Sequence, residues 1–193
     1  MGDEQPFARI EAREPVKHRF TVEEFLAMDA AGLFEKVGRV ELIDGEVYEM
    51  APLYRPHART LMELTVAFAL AARELDGLEA LTPISARLDP YSLPEADIVI
   101  AVDEEAELVT AESVRLLVEV SASSLRHDLG VKARLYARTG VPEYWVADVA
   151  GHRIIRFHAP QGEAYTERAE FPFGATVSSA TIPALSIDTA RLA

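Results

Sequence analysis

RLLVEVSASSLRHDLGVKARLYARTGVPEYWVADV, residues 115–149, changes its rhythm twice, and those changes decide the fold. RLLVEVS (115–121) is short and rich in branched residues, as a strand in the middle of a sheet is. From about Leu125 to Thr139 the pattern is helical, and it stops at Gly140-Val141-Pro142, a glycine followed by a proline that cannot continue a helix. EYWVADV returns to strand, and RIIRFHA pairs with it through a turn near Ala150-Gly151.

The preceding chain extends the same alternation. ADIVIAV (96–102) reads as a second central strand, and EALTPISARL (79–88) as one extended segment before it. From His57 to Leu75, Leu61, Leu64, Phe68, Ala71 and Leu75 recur at spacings of three and four, which marks a helix packed along one stripe. RVELIDGEVYEMA holds two alternating strands around Asp44-Gly45, a pair that tolerates positive φ, with Ile43 facing Glu46 and Glu41 facing Tyr48. Thr21 and Glu24 have capping-box spacing at the start of a short helix. Beyond Gly162 the strand signals are weak and broken by Pro172 and Pro183. The expectation is one α/β domain over residues 20–193, a mixed β-sheet flanked by helices, preceded by an N-terminal extension over 1–19.

With 193 residues, 49% of them hydrophobic and 26% charged, the chain is long enough for a proper core. Cysteine is absent, which excludes disulfides, thiolate metal sites and cysteine nucleophiles. The longest apolar run, Val66 to Ala72, falls far short of the ~20 residues a membrane helix needs, and the charged N-terminus does not read as a secretory signal. A cytoplasmic protein without a membrane is expected. Nineteen basic against thirty-two acidic residues leave a charge of −13, so a polyanionic partner requires a local basic site. Seven carboxylates and no cation lie between Glu95 and Glu112; apart from Glu95 and Asp97 these are expected in a solvated loop.

Two carboxylates stand where burial makes a bare charge expensive. Asp97 heads the run Ile98 to Val102, and Glu119 is enclosed by Leu116, Leu117, Val118 and Val120. In a central strand each needs a proton, a cation or a metal ion; at a sheet edge it simply reaches water. Lys132, one of only three lysines, falls on the helix face of Leu129, Leu135 and Tyr136, while Arg134 and Arg138 point away. Either it leans toward the sheet, or it forms an exposed pair with Asp128 at i,i+4. Glu41 sits beside Ile43 on the hairpin and either joins the same cleft or meets solvent or Tyr48. His57, one turn before Leu61, either joins the cleft or serves as a capping or packing residue.

Three carboxylates and a lysine suggest phosphodiester hydrolysis. Oxygen ligands without cysteine favour a hard cation, Mg²⁺ or Mn²⁺, which polarises a phosphate oxygen and lowers the pKa of a bound water. A nearby lysine orients that water or neutralises charge developing at phosphorus.

YRPHA, PEADIVI, LLVEVSASS and above all DLGVKARLYARTGVPEYWVAD resemble the Uma-two family of the PD-(D/E)XK restriction-endonuclease-like superfamily, from about Phe20 to His158. The resemblance implies a restriction-endonuclease-like core in which an Asp, a Glu and a Lys gather around a divalent metal at one edge of the sheet. Asp97 then corresponds to the motif aspartate, although Ala96 stands where the superfamily has proline, and Glu119 to the second acid. Ser121 occupies the usual lysine position, and Lys132 fits a lysine migrated onto the following helix. Glu41 resembles an extra acid, His57 a histidine at a helix start, and the carbonyl of Val120 a further metal ligand. A homodimer is also implied.

The leading expectation is therefore a metal-dependent nuclease acting on nucleic acid, DNA first. Its local basic face would comprise the four cations between Arg126 and Arg138, with Arg55 and Arg59 beside His57. The alternative keeps the fold without the chemistry, as a protein-interaction module. A glycosidase reading of Glu41 and Glu119 leaves Asp97 and Lys132 without a role.

Overall fold

The computed structural model describes residues 15–193. Helix α1 (Val22–Ala30) starts at the capping box: Glu24 N–H donates to Thr21 Oγ1 at 3.2 Å, and Thr21 N–H to Glu24 Oε2 at 2.8 Å. Strands β1 (Val40–Ile43) and β2 (Glu46–Glu49) follow as an antiparallel hairpin, with Glu41 opposite Tyr48 and Ile43 opposite Glu46. Asp44 (φ 55°) and Gly45 (φ 78°) occupy the left-handed region, as a type I′ turn demands. Helix α2 (Arg55–Ala72) has Pro56 in its first turn, where the missing N–H is harmless, and buries His57, Leu64, Phe68 and Ala72.

EALTPISARL does not form one strand. It divides into β3 (Leu78–Leu81) and β4 (Ile84–Arg87), because Pro83 cannot donate to a ladder. Thr82 at the break donates its hydroxyl to the Asp97 carbonyl at 2.7 Å, tying the bend to the site. β5 (Glu95–Ala96) and β7 (Val109–Thr110) flank β4 in a small sheet. β6 (Ile98–Val102), β8 (Val114–Ser121), β9 (Glu143–Asp148), β10 (Arg153–Gln161) and β11 (Ala164–Pro172) join β3 in the main sheet, whose order is β11-β10-β9-β8-β6-β3. β8 and β9 run parallel and the other neighbours antiparallel, so the sheet is mixed as expected. The acidic residues 103–107 form an exposed loop.

Leu116, Val118 and Val120 of β8 face α2, together with Phe68 and Trp145, whose rings meet edge-on at 5.4 Å. Leu117 and Val146 face the opposite side, against Leu135 and Tyr136. A period of two carries Glu119 to that second side. The C-terminal chain is more regular than its sequence suggests. β11 is a long, largely exposed edge strand, and β12 (Thr176–Ser178) with β13 (Ser186–Asp188) makes a hairpin whose Val177 and Ile187 close the core beneath α2.

The segment from Leu125 to Thr139 is helical but not uniform: α3 (Leu125–His127), a π-helical turn (Asp128–Lys132) and α4 (Ala133–Arg138) run end to end. Gly140 (φ 79°) ends it, and Val141 N–H returns to the Tyr136 carbonyl at 3.0 Å.

Candidate active site

Lys132 is 1% exposed, and its ammonium lies 3.0 Å from Glu41 Oε2, 3.0 Å from Glu119 Oε1 and 3.1 Å from the Glu95 carbonyl. The ammonium donates hydrogen bonds to Glu119 and the Glu95 carbonyl and forms an ion pair with Glu41. The exposed Asp128 to Lys132 pair is thus overturned: both residues are buried, and the lysine points at Glu119 on β8. Glu41 is 1% exposed, which removes the solvent alternative, and the Tyr48 hydroxyl donates to Glu46 instead. Glu119 is 4% exposed and Asp97 is also buried, so neither acid reaches water at a sheet edge.

Asp97 stands between β5 and β6, just before Ile98, whose partner across the ladder is Val118. Its Oδ2 accepts the Val120 N–H at 2.7 Å and lies 3.3 Å from His57 Nε2. His57 is accordingly a partner of the aspartate as well as a packed residue of α2. Glu119 Oε1 also accepts the Tyr136 hydroxyl at 2.7 Å. Asp128 accepts the hydroxyls of Ser121 and Ser124, each at 2.5 Å, so the serine at the usual lysine position ties β8 to the following helix.

The electrostatics follow from enclosure. Burial pushes Glu119 well above the usual carboxylate range, opposed by Lys132 and reinforced by Asp97, Asp128 and Glu41. For Lys132 burial acts to lower the pKa, but the surrounding Glu119, Glu41 and Asp128 outweigh it and hold the ammonium charged. Burial acts to raise Glu41, yet His127 and Lys132 together bring it below the ordinary value.

Residues unnoticed in the sequence complete the cluster. His127 Nε2 lies 3.4 Å from Glu41 Oε1, so His127 and Lys132, five positions apart, address the two oxygens of one carboxylate. In an α-helix such residues diverge by about 140°; a π-turn, with its i to i+5 bonds, stacks them. The Ala133 N–H to Asp128 carbonyl bond is one of these wide links. Tyr136, one turn beyond Lys132, was legible by spacing alone, whereas His127 was not.

Asp97, Glu119, Asp128, His57 and Lys132 line a cleft that opens to solvent between residues 50–54 and 122–124. Glu119 Oε2 and Asp97 Oδ1 accept no hydrogen bond among the described residues and belong to side chains on that cleft. Such free carboxylate oxygens suit a hard divalent cation. No group of three His, Asp or Glu side chains among the described residues is already arranged to hold an ion. The expected basic face is smaller than read: Lys132 is buried and Arg138 is paired with Asp44 and Asp89, which leaves Arg126 and Arg134 exposed on the helix.

Sheet order and helix packing together define a restriction-endonuclease-like α/β protein. The crystal structure of "a putative nuclease belonging to DUF820 from Anabaena variabilis ATCC 29413" superposes with a TM-score of 0.69 at 17% identity, covering 90% of this chain and 97% of that one. A family model described as "Uma2: Putative restriction endonuclease" matches residues 22–190, and the chain belongs to that family. No curated protein matches it significantly. No helix of the described residues is long and apolar enough to cross a membrane.

Proposed function

We propose that the chain is a metal-dependent nuclease that hydrolyses phosphodiester bonds of nucleic acid. The observation that carries this reading is the burial of Lys132 between Glu41 and Glu119 at the floor of an open cleft. Asp97, Glu119 and the Val120 carbonyl would hold Mg²⁺ or Mn²⁺, with Glu41 assisting. The ion would supply Lewis-acid polarisation of a phosphate oxygen and a more acidic water. Lys132 supplies positive charge beside the phosphate and orients the attacking water, while Glu41 fixes where the ammonium sits. His57 orients Asp97 through Oδ2, leaving Oδ1 toward the cleft. Purified protein should cleave DNA in Mn²⁺ and lose that activity in Glu119→Gln; no metal-dependent cleavage of any DNA or RNA form ends the reading.

One observation favours the interaction-module alternative: the Lys132 ammonium is buried and already engaged by Glu41, Glu119 and the Glu95 carbonyl. A calorimetric Mn²⁺ titration without heat would support it.

A further inference from the structure

One wall of the cleft takes no part in the acidic cluster. Residues 51–54 run without regular structure between β2 and α2, and Leu53 and Tyr54 remain 50% and 64% exposed beside Glu119 and Lys132. The small residues Ala122 and Ser123, both exposed, line the same cleft.

Charge limits what such a cleft can bind. Duplex binding draws chiefly on contacts between cations and phosphates, and its affinity falls steeply with salt as those contacts multiply. Here the chain carries −13, Lys132 is internal, Arg138 is paired with Asp44 and Asp89, and Arg39 at the cleft is paired with Glu95. Arg55 and Arg59, in the first turns of α2 after Tyr54, are exposed and form no ion pair among the described residues, which leaves two cations free for phosphates. Stacking of a base on an aromatic ring is indifferent to the net charge of the protein, but it requires an unpaired base.

We propose that Tyr54, exposed at the cleft with its neighbour Leu53, is a stacking platform for an unpaired nucleobase, so that the substrate class of this site is single-stranded or locally unpaired nucleic acid. The assignment rests on the nuclease reading and narrows it.

The test uses the full chain in Ca²⁺ buffer and the fluorescence anisotropy of a labelled fifteen-nucleotide oligo-dT and of a duplex of the same length. The single strand should bind at least tenfold more tightly, with a shallow dependence on salt. Tyr54→Ala should weaken single-strand binding about tenfold, Tyr54→Phe should preserve it, and neither should alter duplex binding. Equal binding of both probes, or an unchanged single-strand affinity in Tyr54→Ala, overturns the platform. If Mn²⁺-dependent cleavage of duplex DNA then persists unaffected by Tyr54→Ala, the nuclease reading stands without it. Neither binding nor cleavage of either probe overturns both.

Discussion

Lys132 Nζ and Glu119 Oε1 lie 3.0 Å apart, with the lysine sealed from solvent and the acid reaching it only at the cleft, each ionised form dependent on the other. A buried pair of this kind contributes little net stability when formed, yet removing one partner leaves an uncompensated charge.

Lys132→Ala should therefore cost about 3–5 kcal/mol of folding stability, measured by urea denaturation. Because Lys132 is buried, its loss is felt by the fold as well as by activity. A loss under about 1 kcal/mol would mean that the ammonium is not the counter-charge of Glu41 and Glu119. Glu119→Gln, which still accepts from Lys132 and Tyr136, is the cleaner probe of chemistry.

Tyr136 donates to the same oxygen of Glu119 at 2.7 Å and so leaves Oε2 for a ligand. Tyr136→Phe should lower stability by about 1 kcal/mol and weaken Mn²⁺ binding about tenfold in calorimetry, as loss of a ligand-orienting bond does. Unchanged metal affinity would reduce the hydroxyl to a packing role.

Glu143, wholly buried, accepts from Trp145 Nε1 at 2.6 Å, Ser179 Oγ at 2.6 Å, Thr181 N–H at 2.9 Å and Thr181 Oγ1 at 2.8 Å. Glu143→Gln turns an amide N–H toward donors. It should cost about 3 kcal/mol and expose the segment after Phe173 to proteolysis. Wild-type resistance of the variant to thermolysin, which cuts beside the apolar Val177, Leu185 and Ile187, would show that the C-terminal hairpin is held by its apolar contacts alone.

Burial raises the phenols of Tyr136, Tyr144 and Tyr165 above their ordinary value of 10.0. Raised acids are neutral in the fold and ionise more readily when unfolded. Their contribution is intact below about pH 10 and is lost as pH rises above it. Each should steepen the decline by roughly 1.4 kcal/mol per pH unit. Stability of Tyr165→Phe should fall less steeply between pH 10 and 11 than wild type; identical slopes would remove this residue from the alkaline transition.

Local rules made much of the fold legible. Asp44-Gly45 specified its hairpin because few residues accept two successive positive φ angles, and that turn set the register of Glu41 against Tyr48. Glu119 stood out because an acid amid branched residues must find a partner. Other features escaped for equally definite reasons. β11 lies at an edge with most of its side chains in water, so no apolar alternation marks it. His127 was hidden because a period of 3.6 places it away from Lys132, and only the π-turn brings the two together. The basic face shrank because Arg138 meets acids from two distant turns, Asp44 and Asp89.

By itself the sequence determined the α/β class, the central strand carrying Glu119 and the one that Asp97 precedes, the hairpin of Glu41 and the helix face of Lys132, because alternation, turn chemistry and helical period act between neighbours along the chain. Only the tertiary structure decided that Lys132 bridges Glu41 and Glu119, that His57 meets Asp97, and which cations stay unpaired. Those contacts join segments far apart in sequence, and how closely the π-turn brings Lys132 to Glu119 on β8 is set by the whole core.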